Sequence, residues 1–529
     1  MPDTSNLSFD PSQVAEEAAQ DEERPVIQVA SGTRHKMADE ALAIMNKAGV
    51  EFYQRSGALV RVSLIRAKTA DGAVIETPGI TPVTLPMLGR AMGQAISWQQ
   101  EVATGKRVVI RHLDPPKDVV EQVAAMSGMW PFPPLSGVIG TPTMRPDGTI
   151  LDTVGYDDAT GLVLMSPPKM PRIPDRPTRH HAERSLDLLQ SLLAEFPFVD
   201  EASRSVALSM ILTLVLRGAV SPAVPMHAAT APEPGTGKSY LGDTSSVIAT
   251  GERCAVIAMG QDPNETEKRL IAAALSGQSI IAIDNVSDMM SGDFLNQVTE
   301  RPLLKIRPLG TSTDIRIPNT FTVFANGNNL SAPADMVRRT LVCRLDANVE
   351  NPESRVFQGN PVAAVLADRG AYIAAALTIG RAYVCAGSPD QLPKLASFER
   401  WSDLVRSSLV WLGCADPCLS MDVARGEDPI RSARAAVFAA WQKELGLTAR
   451  GLTVPEMIQE IEGTEGVRFL CPEFREALLT VAPDRSGNTI APRRLASWLL
   501  KNNNNIVGGV KLTSDRTYPS RIRWVLSKV

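Results

Sequence analysis

The strongest constraint on the fold is the segment at residues 232–239, which reads Pro-Glu-Pro-Gly-Thr-Gly-Lys-Ser. The apolar residues 226–230 predict a buried strand before it, and residues 239–248 predict a helix after it. Strand, glycine loop and helix in this order form a phosphate-binding loop, in which backbone N–H groups and the helix N-terminus hold an anion. The segment departs from the G-x-x-x-x-G-K-S/T pattern only where Pro232 replaces the first glycine.

The residue types in this loop predict ATP and Mg²⁺ as its ligands. Gly235 and Gly237 allow backbone N–H groups to turn toward a β-phosphate, where a Cβ would obstruct them. Lys238 is expected to reach the β- and γ-phosphates, and Ser239 to offer an oxygen to Mg²⁺. The whole predicted nucleotide-binding segment is Pro234, Gly235, Thr236, Gly237, Lys238 and Ser239.

A second apolar strand, residues 279–284, ends in Asp284. A buried parallel strand places one such carboxylate at its carboxyl edge, where it can help to hold Mg²⁺. The next residue is Asn285, and an amide cannot accept a proton from the attacking water. The sequence therefore leaves two possibilities: hydrolysis is slow, or another carboxylate serves as base. The candidates are Glu265, Glu267 and Asp288.

The chain after Asp284 carries three further signals. Residues 303–317 predict a hairpin with Lys305, Arg307 and Arg316 alternating with apolar residues. Residues 320–325 predict a buried strand that leads into Asn326 and Asn328, either of which can orient water near a γ-phosphate. The pair Arg338 and Arg339 suits an arginine finger that reaches a neighbouring subunit's nucleotide.

Taken in order, these motifs resemble those of the superfamily 3 helicases within the AAA+ ATPases, and in particular phage or plasmid primase/helicases. The resemblance is best over residues 200–350. It implies that Lys238 and Asp284 belong to the catalytic site, that Asn328 or else Asn326 is sensor 1, and that Arg338 and Arg339 supply the finger. It also implies that residues 305–316 form a hairpin in the central channel of a ring, most often a homo-hexamer.

Bulk properties exclude several other classes of protein. The 529 residues are 44% hydrophobic and 21% charged, so the chain can bury ordinary cores, and its net charge of −4 confines any DNA contact to local patches. The six cysteines lack a zinc-binding spacing and predict reduced thiols in the cytoplasm. The longest apolar run, residues 206–216, is too short to span a bilayer, so no membrane partner is expected.

The flanking regions predict an α/β protein of several domains. We expect a disordered acidic leader (1–24), a mixed α+β module for binding or assembly (25–175), the AAA+ core with a parallel sheet (176–350), a helical region (351–447) and a winged-helix-like domain (448–529). Tyr156-Asp157-Asp158 could suggest a polymerase-type acidic pair, but no Asp-x-Asp accompanies it, and a hairpin tip is the preferred interpretation. A primase or polymerase would then be a separate partner.

The last eighty or so residues are enriched in cations within a net-acidic chain. Arg493 and Arg494 lie on a predicted helix, and Arg521 begins a predicted closing strand. Helices followed by a two-stranded wing predict contacts with the phosphates of duplex DNA, although a protein-docking wing with solvated charges fits the same pattern.

Three functions follow from these observations. The first is an ATP-driven DNA helicase or replication motor of a phage or mobile element, which binds single-stranded DNA in a channel. The second is an AAA+ remodelling ATPase that does not unwind DNA. The third, favoured by Asn285, is an NTP-gated DNA-binding assembly protein with weak hydrolysis.

Overall fold

The structure is a computed structural model of the chain. It describes residues 24–68, 74–105, 107–220, 222–258, 263–286, 292–308, 314–330, 334–427, 429–447, 451–462, 470–515 and 522–529. The chain divides into two compact units. Of the described residues, the first holds those at 24–286, 292–329 and 343–417, and the second holds those at 330–342 and 418–529.

The amino-terminal part of the first unit is a mixed α+β module, as its alternating pattern predicts. A three-stranded antiparallel sheet in the order β2–β3–β4 and a second sheet in the order β1–β5–β6 form its frame. Met45, Met92 and Trp98 are buried in the core between these sheets and the three helices. The elements are β1 (Val26–Gln28), α1 (Arg34–Lys47), β2 (Tyr53–Arg55), β3 (Ala58–Lys68), β4 (Val74–Pro82), α2 (Leu85–Ala95), β5 (Ser97–Thr104), β6 (Arg107–Leu113) and α3 (Lys117–Ala125).

Short strands follow and lead toward the large parallel sheet. They are β7 (Gly137–Ile139), β8 (Thr143–Met144), β9 (Ile150–Leu151), β10 (Gly155–Asp157) and β11 (Leu162–Leu164). The preferred hairpin interpretation of Tyr156-Asp157-Asp158 is confirmed, because β10 and β11 pair antiparallel around it. Asp157 accepts hydrogen bonds from Arg145 Nε at 2.8 Å and from Thr160 Oγ1 at 2.7 Å. This carboxylate therefore stabilises a turn.

The centre of the first unit is a five-stranded parallel sheet in the order β13–β14–β17–β12–β18, covered by helices. Its elements are α4 (Arg179–Leu192), α5 (Glu201–Val215), β12 (Met226–Ala231), α6 (Lys238–Thr250), β13 (Val256–Ala258), α7 (Pro263–Ser276), β14 (Ile280–Asp284), α8 (Asp293–Val298), β15 (Leu303–Ile306), β16 (Ile315–Pro318), β17 (Thr322–Asn328) and β18 (Thr340–Arg344). Between β17 and β18 the chain forms α9 (Ala334–Val337), which belongs to the second unit. The apolar runs of β12, β14 and β17 are buried on both faces, as expected for strands between two layers of helices.

The order of these strands determines where a ligand can bind. The strand β17 lies between β12 and β14, so the phosphate loop after β12 and Asp284 at the end of β14 are separated by one strand. Parallel strands bring their carboxyl ends to one edge of the sheet, and open α/β sheets bind ligands in the crevice at that edge. The predicted site residues that end β12, β14 and β17 therefore share one edge.

A helical segment completes the first unit. It contains a 3₁₀ turn (Pro352–Ser354), α10 (Pro361–Ala367), α11 (Arg369–Cys385), α12 (Glu399–Trp401), a π-helical turn (Ser402–Arg406) and α13 (Ser407–Trp411). Trp401 is fully buried, and its Nε1 donates to Thr213 Oγ1 at 2.8 Å. This tryptophan therefore belongs to the core and offers no stacking surface to a base.

The second unit has its own hydrophobic core, built from helices and a three-stranded antiparallel sheet. Its elements are α14 (Leu419–Glu427), α15 (Pro429–Glu444), α16 (Val454–Glu462), α17 (Pro472–Val481), α18 (Pro492–Lys501), β19 (Ile506–Val507), β20 (Val510–Asp515) and β21 (Arg523–Lys528). Trp441 of α15 packs in the same core as Trp524 of β21. The core of this unit thus begins before residue 448, where the sequence predicts a boundary.

Candidate nucleotide site

The predicted phosphate-binding loop lies between β12 and α6, in the strand–loop–helix order that the sequence predicts. Gly235 and Gly237 have φ angles of 74° and 100°, a region that glycine adopts without the steric cost a Cβ would bring. Lys238 Nζ donates to the carbonyl oxygen of Glu233 at 2.9 Å, and Thr236 Oγ1 donates to the same oxygen at 2.6 Å. The loop is thus closed by its own side chains, with the lysine at its centre.

Ser239 and Asp284 come together at the edge of the sheet, although they are far apart in sequence. Ser239 Oγ lies 3.3 Å from Asp284 Oδ1. Burial lowers the pKa of Lys238, while the charges of Asp284 and Glu233 oppose this shift. A hydroxyl and a carboxylate side by side, next to a lysine, are the oxygen donors that Mg²⁺ prefers in a nucleotide site. The donor set therefore fits the predicted Mg²⁺.

The residue after Asp284 has an unusual backbone conformation. Asn285 is exposed and has a φ of 54°, a left-handed conformation that asparagine tolerates better than most residues. Its backbone N–H donates to Asn326 Oδ1 at 3.4 Å. A Cβ on Gly327 would lie 2.1 Å from the carbonyl oxygen of Val286, so only glycine permits this close approach of β17 to the segment after β14.

The two asparagines of β17 differ in their surroundings. Asn326 is 4% exposed and contacts the segment after Asp284. Asn328 is exposed at the end of the strand, beside Ala231 of β12. Both residues point to the same face of the strand, because they are two positions apart. The sequence favours Asn328 over Asn326 as the sensor. In the structure, Asn328 lies at the end of β17 nearest the phosphate loop, whereas Asn326 Oδ1 accepts the backbone N–H of Asn285.

The candidate bases also differ. Glu265 is exposed and forms an ion pair with Lys268 at 2.7 Å. Glu267 is partly buried, and burial together with the charge of Asp293 raises its pKa. A raised pKa suits a group that accepts a proton near neutral pH. The third candidate, Asp288, lies outside the described residues. Of the two candidates that the structure describes, Glu267 is the less exposed.

A cavity of about 540 Å³ adjoins the phosphate-binding loop and contains aromatic residues that the sequence analysis did not single out. Phe196, Tyr240, Phe357 and Tyr372 line it together with Gly235 and Gly237. The Phe196 ring lies 3.5 Å from where a Cβ on Gly237 would be. Tyr240 follows the Lys-Ser pair directly, and that position is the one signal in the sequence that could have identified a member of this cavity.

The cavity is bordered by the segment 351–360, which also touches the phosphate-binding loop. A Cβ on Gly235 would lie 3.0 Å from both Cβ and Oε2 of Glu353. The Glu195 carboxylate accepts the backbone N–H of Gln358 and of Gly359 at 3.1 and 3.0 Å. These contacts hold the segment over the loop, and nothing in the local sequence predicts them.

The predicted cationic hairpin is confirmed as an antiparallel pair of strands, β15 and β16. Lys305 lies directly opposite Arg316, and both are exposed, whereas Leu304 and Ile317 are buried on the other face. Lys305 Nζ and Arg307 Nε lie 2.8 and 3.2 Å from the Asp314 carboxylate. These two hydrogen bonds lower the pKa of Asp314. Residues 309–313, the predicted tip, lie outside the described residues.

The predicted arginine finger lies in the second unit. Arg338 is exposed, whereas Arg339 is 4% exposed. A finger must be accessible to a neighbouring subunit's nucleotide, so the burial of Arg339 favours a structural role for it. Arg338 is then the better candidate of the pair.

The predicted DNA-binding arginines of the second unit are exposed where the structure describes them. Arg493 and Arg494 begin α18, and Arg494 Nη1 donates to the carbonyl oxygen of Pro483 at 2.8 Å. Arg521 lies outside the described residues. Arg523, two residues further on, pairs with Glu456 at 3.0 Å and therefore links β21 to α16.

Among the helices of the described residues, no single one is long and apolar enough to cross a membrane. The bent pair α10 and α11 passes the same test of length and composition when its two helices are taken together.

Comparisons with known proteins give structural similarity at low identity. No protein-family model matches the chain, and no curated protein matches it. Among solved structures, the apo A form of the NrS-1 C-terminal region aligns at 12% identity with a TM-score of 0.36, covering 92% of this chain and 98% of that one. A structure titled SCCmec type IV Cch, active helicase, aligns at 10% identity with a TM-score of 0.32, covering 90% and 97%.

Proposed function

We propose that this chain is an ATPase that moves along DNA, a helicase or replication motor of the superfamily 3 type within the AAA+ ATPases. One observation carries the proposal. Lys238 and Ser239 of the phosphate loop lie beside Asp284 of a strand two places away, with Ser239 Oγ 3.3 Å from Asp284 Oδ1. ATP phosphates would meet Lys238 and the loop N–H groups, and Mg²⁺ would be held by Ser239 and Asp284. The bound metal would neutralise charge on the phosphates.

The aromatic cavity supports the same proposal. Its rings and its volume of about 540 Å³ suit a planar nucleobase next to the phosphate-binding loop. A nucleotide could then lie with its base among Phe196, Tyr240 and Tyr372 and its phosphates at Lys238.

The hairpin β15–β16 supports the proposed action on DNA. It lies in the chain between the strand that ends in Asp284 and the strand that contains Asn326. Its exposed face carries Lys305 and Arg316, and its buried face anchors on the core. Along the chain, the hairpin therefore follows β14 after helix α8 and leads closely into β17. In a ring such as the hexamer that the resemblance implies, this hairpin would contact one strand's phosphates in the channel.

A second candidate function rests on Asn285. The amide in place of a carboxylate cannot act as base, and its left-handed backbone suits asparagine. The chain would then bind ATP and DNA with little hydrolysis and act as an NTP-gated assembly protein. An AAA+ remodelling ATPase without unwinding differs from the motor only in its action on DNA.

Three measurements on one preparation separate these functions. They are ATP hydrolysis without DNA, ATP hydrolysis with DNA, and displacement of a strand from forked DNA. The motor requires all three activities, with hydrolysis stimulated by DNA. Stimulated hydrolysis without displacement would favour the remodelling ATPase, and nucleotide-dependent DNA binding with negligible turnover would favour the assembly protein.

A further inference from the structure

The first unit contains a cavity of about 390 Å³ that no residue of the phosphate-binding loop lines. Its wall is formed by β7 and β11 of the amino-terminal module, by the end of α5, and by both roots of the cationic hairpin. Most of the lining is aliphatic, with several hydroxyl groups. The cavity therefore joins the module to the core at the base of β15–β16.

The charged side chains that line this cavity, among the described residues, are cationic. Among the described residues that line it, Arg217 and Arg400 are charged and no carboxylate is present. Arg217 Nη2 donates to the carbonyl oxygens of Pro222 at 2.9 Å and Asn319 at 3.0 Å. Burial lowers the pKa of Arg217 to about 10, so the guanidinium still carries its charge at neutral pH. A shielded cation without a counter-ion is costly for the folded state.

Two nitrogens of Arg217 lack hydrogen-bond partners. Nε and Nη1 are both shielded from solvent and have no partner among the described residues. A guanidinium presents its N–H groups as a planar fork that matches the two oxygens of a carboxylate or phosphate. Such a fork uses Nη2 together with Nε or Nη1, and Nη2 already donates to carbonyl oxygens, so Nε and Nη1 would each donate singly to an oxygen of an anion.

Asn319 adds an unmet acceptor to the same cavity. It is 2% exposed, and its Nδ2 donates to the carbonyl oxygens of Val298 at 2.6 Å and Arg301 at 3.0 Å. These two bonds fix the orientation of the amide, since an oxygen in that place would face two other oxygens. Asn319 Oδ1 has no partner within the described part of the chain. Buried polar atoms of this kind are normally satisfied by a ligand or by water.

We propose that this cavity is a second ligand site, which binds a small organic oxyanion carrying a hydroxyl or amine. The phosphate or carboxylate group would pair with Arg217, with Arg400 at the exposed side, and the donor would pair with Asn319 Oδ1. The volume of about 390 Å³ is in the range of small-molecule sites. Buried water could satisfy the hydrogen bonds but would not neutralise the charge.

Occupation of this site would reach the hairpin directly. Arg217 holds the carbonyl oxygen of Asn319, which follows β16, and its Nη2 lies 3.4 Å from the carbonyl oxygen of Phe321 just before β17. A bound anion would fix the guanidinium and, through it, the root from which Lys305 and Arg316 project. The binding site itself does not depend on the proposed function of the nucleotide site.

The test uses the full chain with Lys238→Ala, so that anions do not report on the phosphate-binding loop. Glycerol phosphate, lactate, inorganic phosphate and acetate are titrated by calorimetry at constant ionic strength. Saturable binding is expected for one of two pairs, glycerol phosphate with inorganic phosphate or lactate with acetate. Within that pair, the hydroxyl-bearing compound should bind more tightly. The phosphate pair and the carboxylate pair distinguish the two sources of the oxyanion.

Variants of the cavity then locate the binding. Arg217→Lys keeps the charge but removes the Nε and Nη1 donors, and should weaken binding about tenfold or more. Arg400→Gln removes an exposed charge and should weaken it about two- to fivefold. Arg90→Gln, an exposed arginine outside the lining, is the matched control, and circular dichroism checks that each variant folds. Arg400→Gln keeps the test decisive if Arg217→Lys unfolds.

The proposal is overturned if none of the four anions binds saturably, which would indicate a cavity filled by water. It is also overturned if Arg400→Gln and Arg90→Gln bind the anion equally well and Arg217→Lys either binds it as tightly as Lys238→Ala alone or does not fold. Retention of ATP hydrolysis by Lys238→Ala would contradict the proposed function instead. The anion affinities of the cavity variants could still be compared with one another.

Discussion

The nucleotide site and the cationic hairpin each place cations beside one carboxylate, but in different surroundings. Lys238 is 8% exposed and lies near Asp284, and the two residues come from different elements, helix α6 and strand β14. In the hairpin, Lys305 and Arg307 share Asp314, a few residues away, and all three side chains are exposed. The first arrangement depends on the tertiary fold, and the second depends on a local turn.

This difference has consequences for binding. The charge of Lys238 is largely buried and is therefore screened weakly by salt, so the nucleotide site can hold a polyanion tightly. Exposed pairs contribute little and are screened, so the hairpin cations can exchange Asp314 for DNA phosphates and return. We therefore expect nucleotide binding to depend little on salt and DNA binding to depend on it strongly.

The largest effect is expected at the nucleotide site. Lys238→Ala removes the charged hydrogen bonds to the phosphates and should weaken ATP binding by at least about 100-fold, with loss of hydrolysis. Binding of a fluorescent ATP analogue and phosphate release measure it. Lys117→Ala is the control, since its side chain is 88% exposed. Normal hydrolysis by Lys238→Ala would contradict the phosphate-loop assignment.

The hairpin should separate DNA action from chemistry. Lys305→Ala combined with Arg307→Ala should abolish unwinding and DNA-stimulated hydrolysis, because the cations that meet the DNA are lost. Basal hydrolysis should survive, because Lys238, Ser239 and Asp284 are unchanged. Unwinding at the parental rate would exclude the hairpin from the channel, and loss of basal hydrolysis would indicate misfolding.

Asn285 tests whether a base is missing. If no other group accepts the proton, Asn285→Glu should raise hydrolysis by about 10²–10⁴-fold. The left-handed backbone at this position should also make the variant less stable by about 1–2 kcal/mol, measured as a lower midpoint in urea. Asn285→Asp is the matched control, since it adds a charge with a shorter side chain.

The alternative source of the base gives the opposite result. If Glu267 already acts as base, Asn285→Glu should slow hydrolysis, and Glu267→Gln should remove it. Glu265→Gln should then have little effect, because that carboxylate is exposed and paired with Lys268. Full activity in Glu267→Gln would exclude this residue.

The exposed ion pairs of the hairpin should matter modestly. Asp314→Asn releases Lys305 and Arg307 and should tighten binding of single-stranded DNA about two- to fivefold at low salt. Asp152→Asn, a change of the same charge elsewhere in the chain, is the control. Weaker DNA binding by Asp314→Asn would mean that the carboxylate positions the hairpin.

The smallest effect is expected in the second unit. Arg493→Gln with Arg494→Gln should weaken binding of duplex DNA equally across sequences. The slope of log affinity against log salt should flatten by about 0.9 for each lost phosphate contact. Lys443→Gln, whose lysine pairs with Glu473, is the control. Unchanged affinity at low salt would favour a protein-docking wing.

Much of the fold is visible in the sequence because its signals are local. The phosphate loop, the strand that ends in Asp284 and the alternation in the hairpin each lie within a short run of residues. The sequence favours Asn328 over Asn326. The hydrogen bond from the Asn285 backbone to Asn326 forms only because β14 and β17 lie side by side. Local patterns could not predict it.

The contacts that the sequence does not show bring together distant segments. Glu353 reaches Gly235, and Phe196 reaches Gly237, across more than a hundred and about forty residues of chain respectively. Arg217 and Asn319 read as ordinary solvated polar residues until the fold shields two nitrogens of Arg217 and buries Asn319. Single-sequence periodicity carries no information about such pairs.

Strand displacement on forked DNA tests the central claim most directly. The parent chain and Lys238→Ala are compared with ATP and with a non-hydrolysable analogue, while hydrolysis is followed in the same reaction. The strand of the forked DNA should be displaced only by the parent chain with ATP, and hydrolysis should rise when DNA is added. DNA-stimulated hydrolysis without displacement, or displacement that continues in Lys238→Ala, would contradict it.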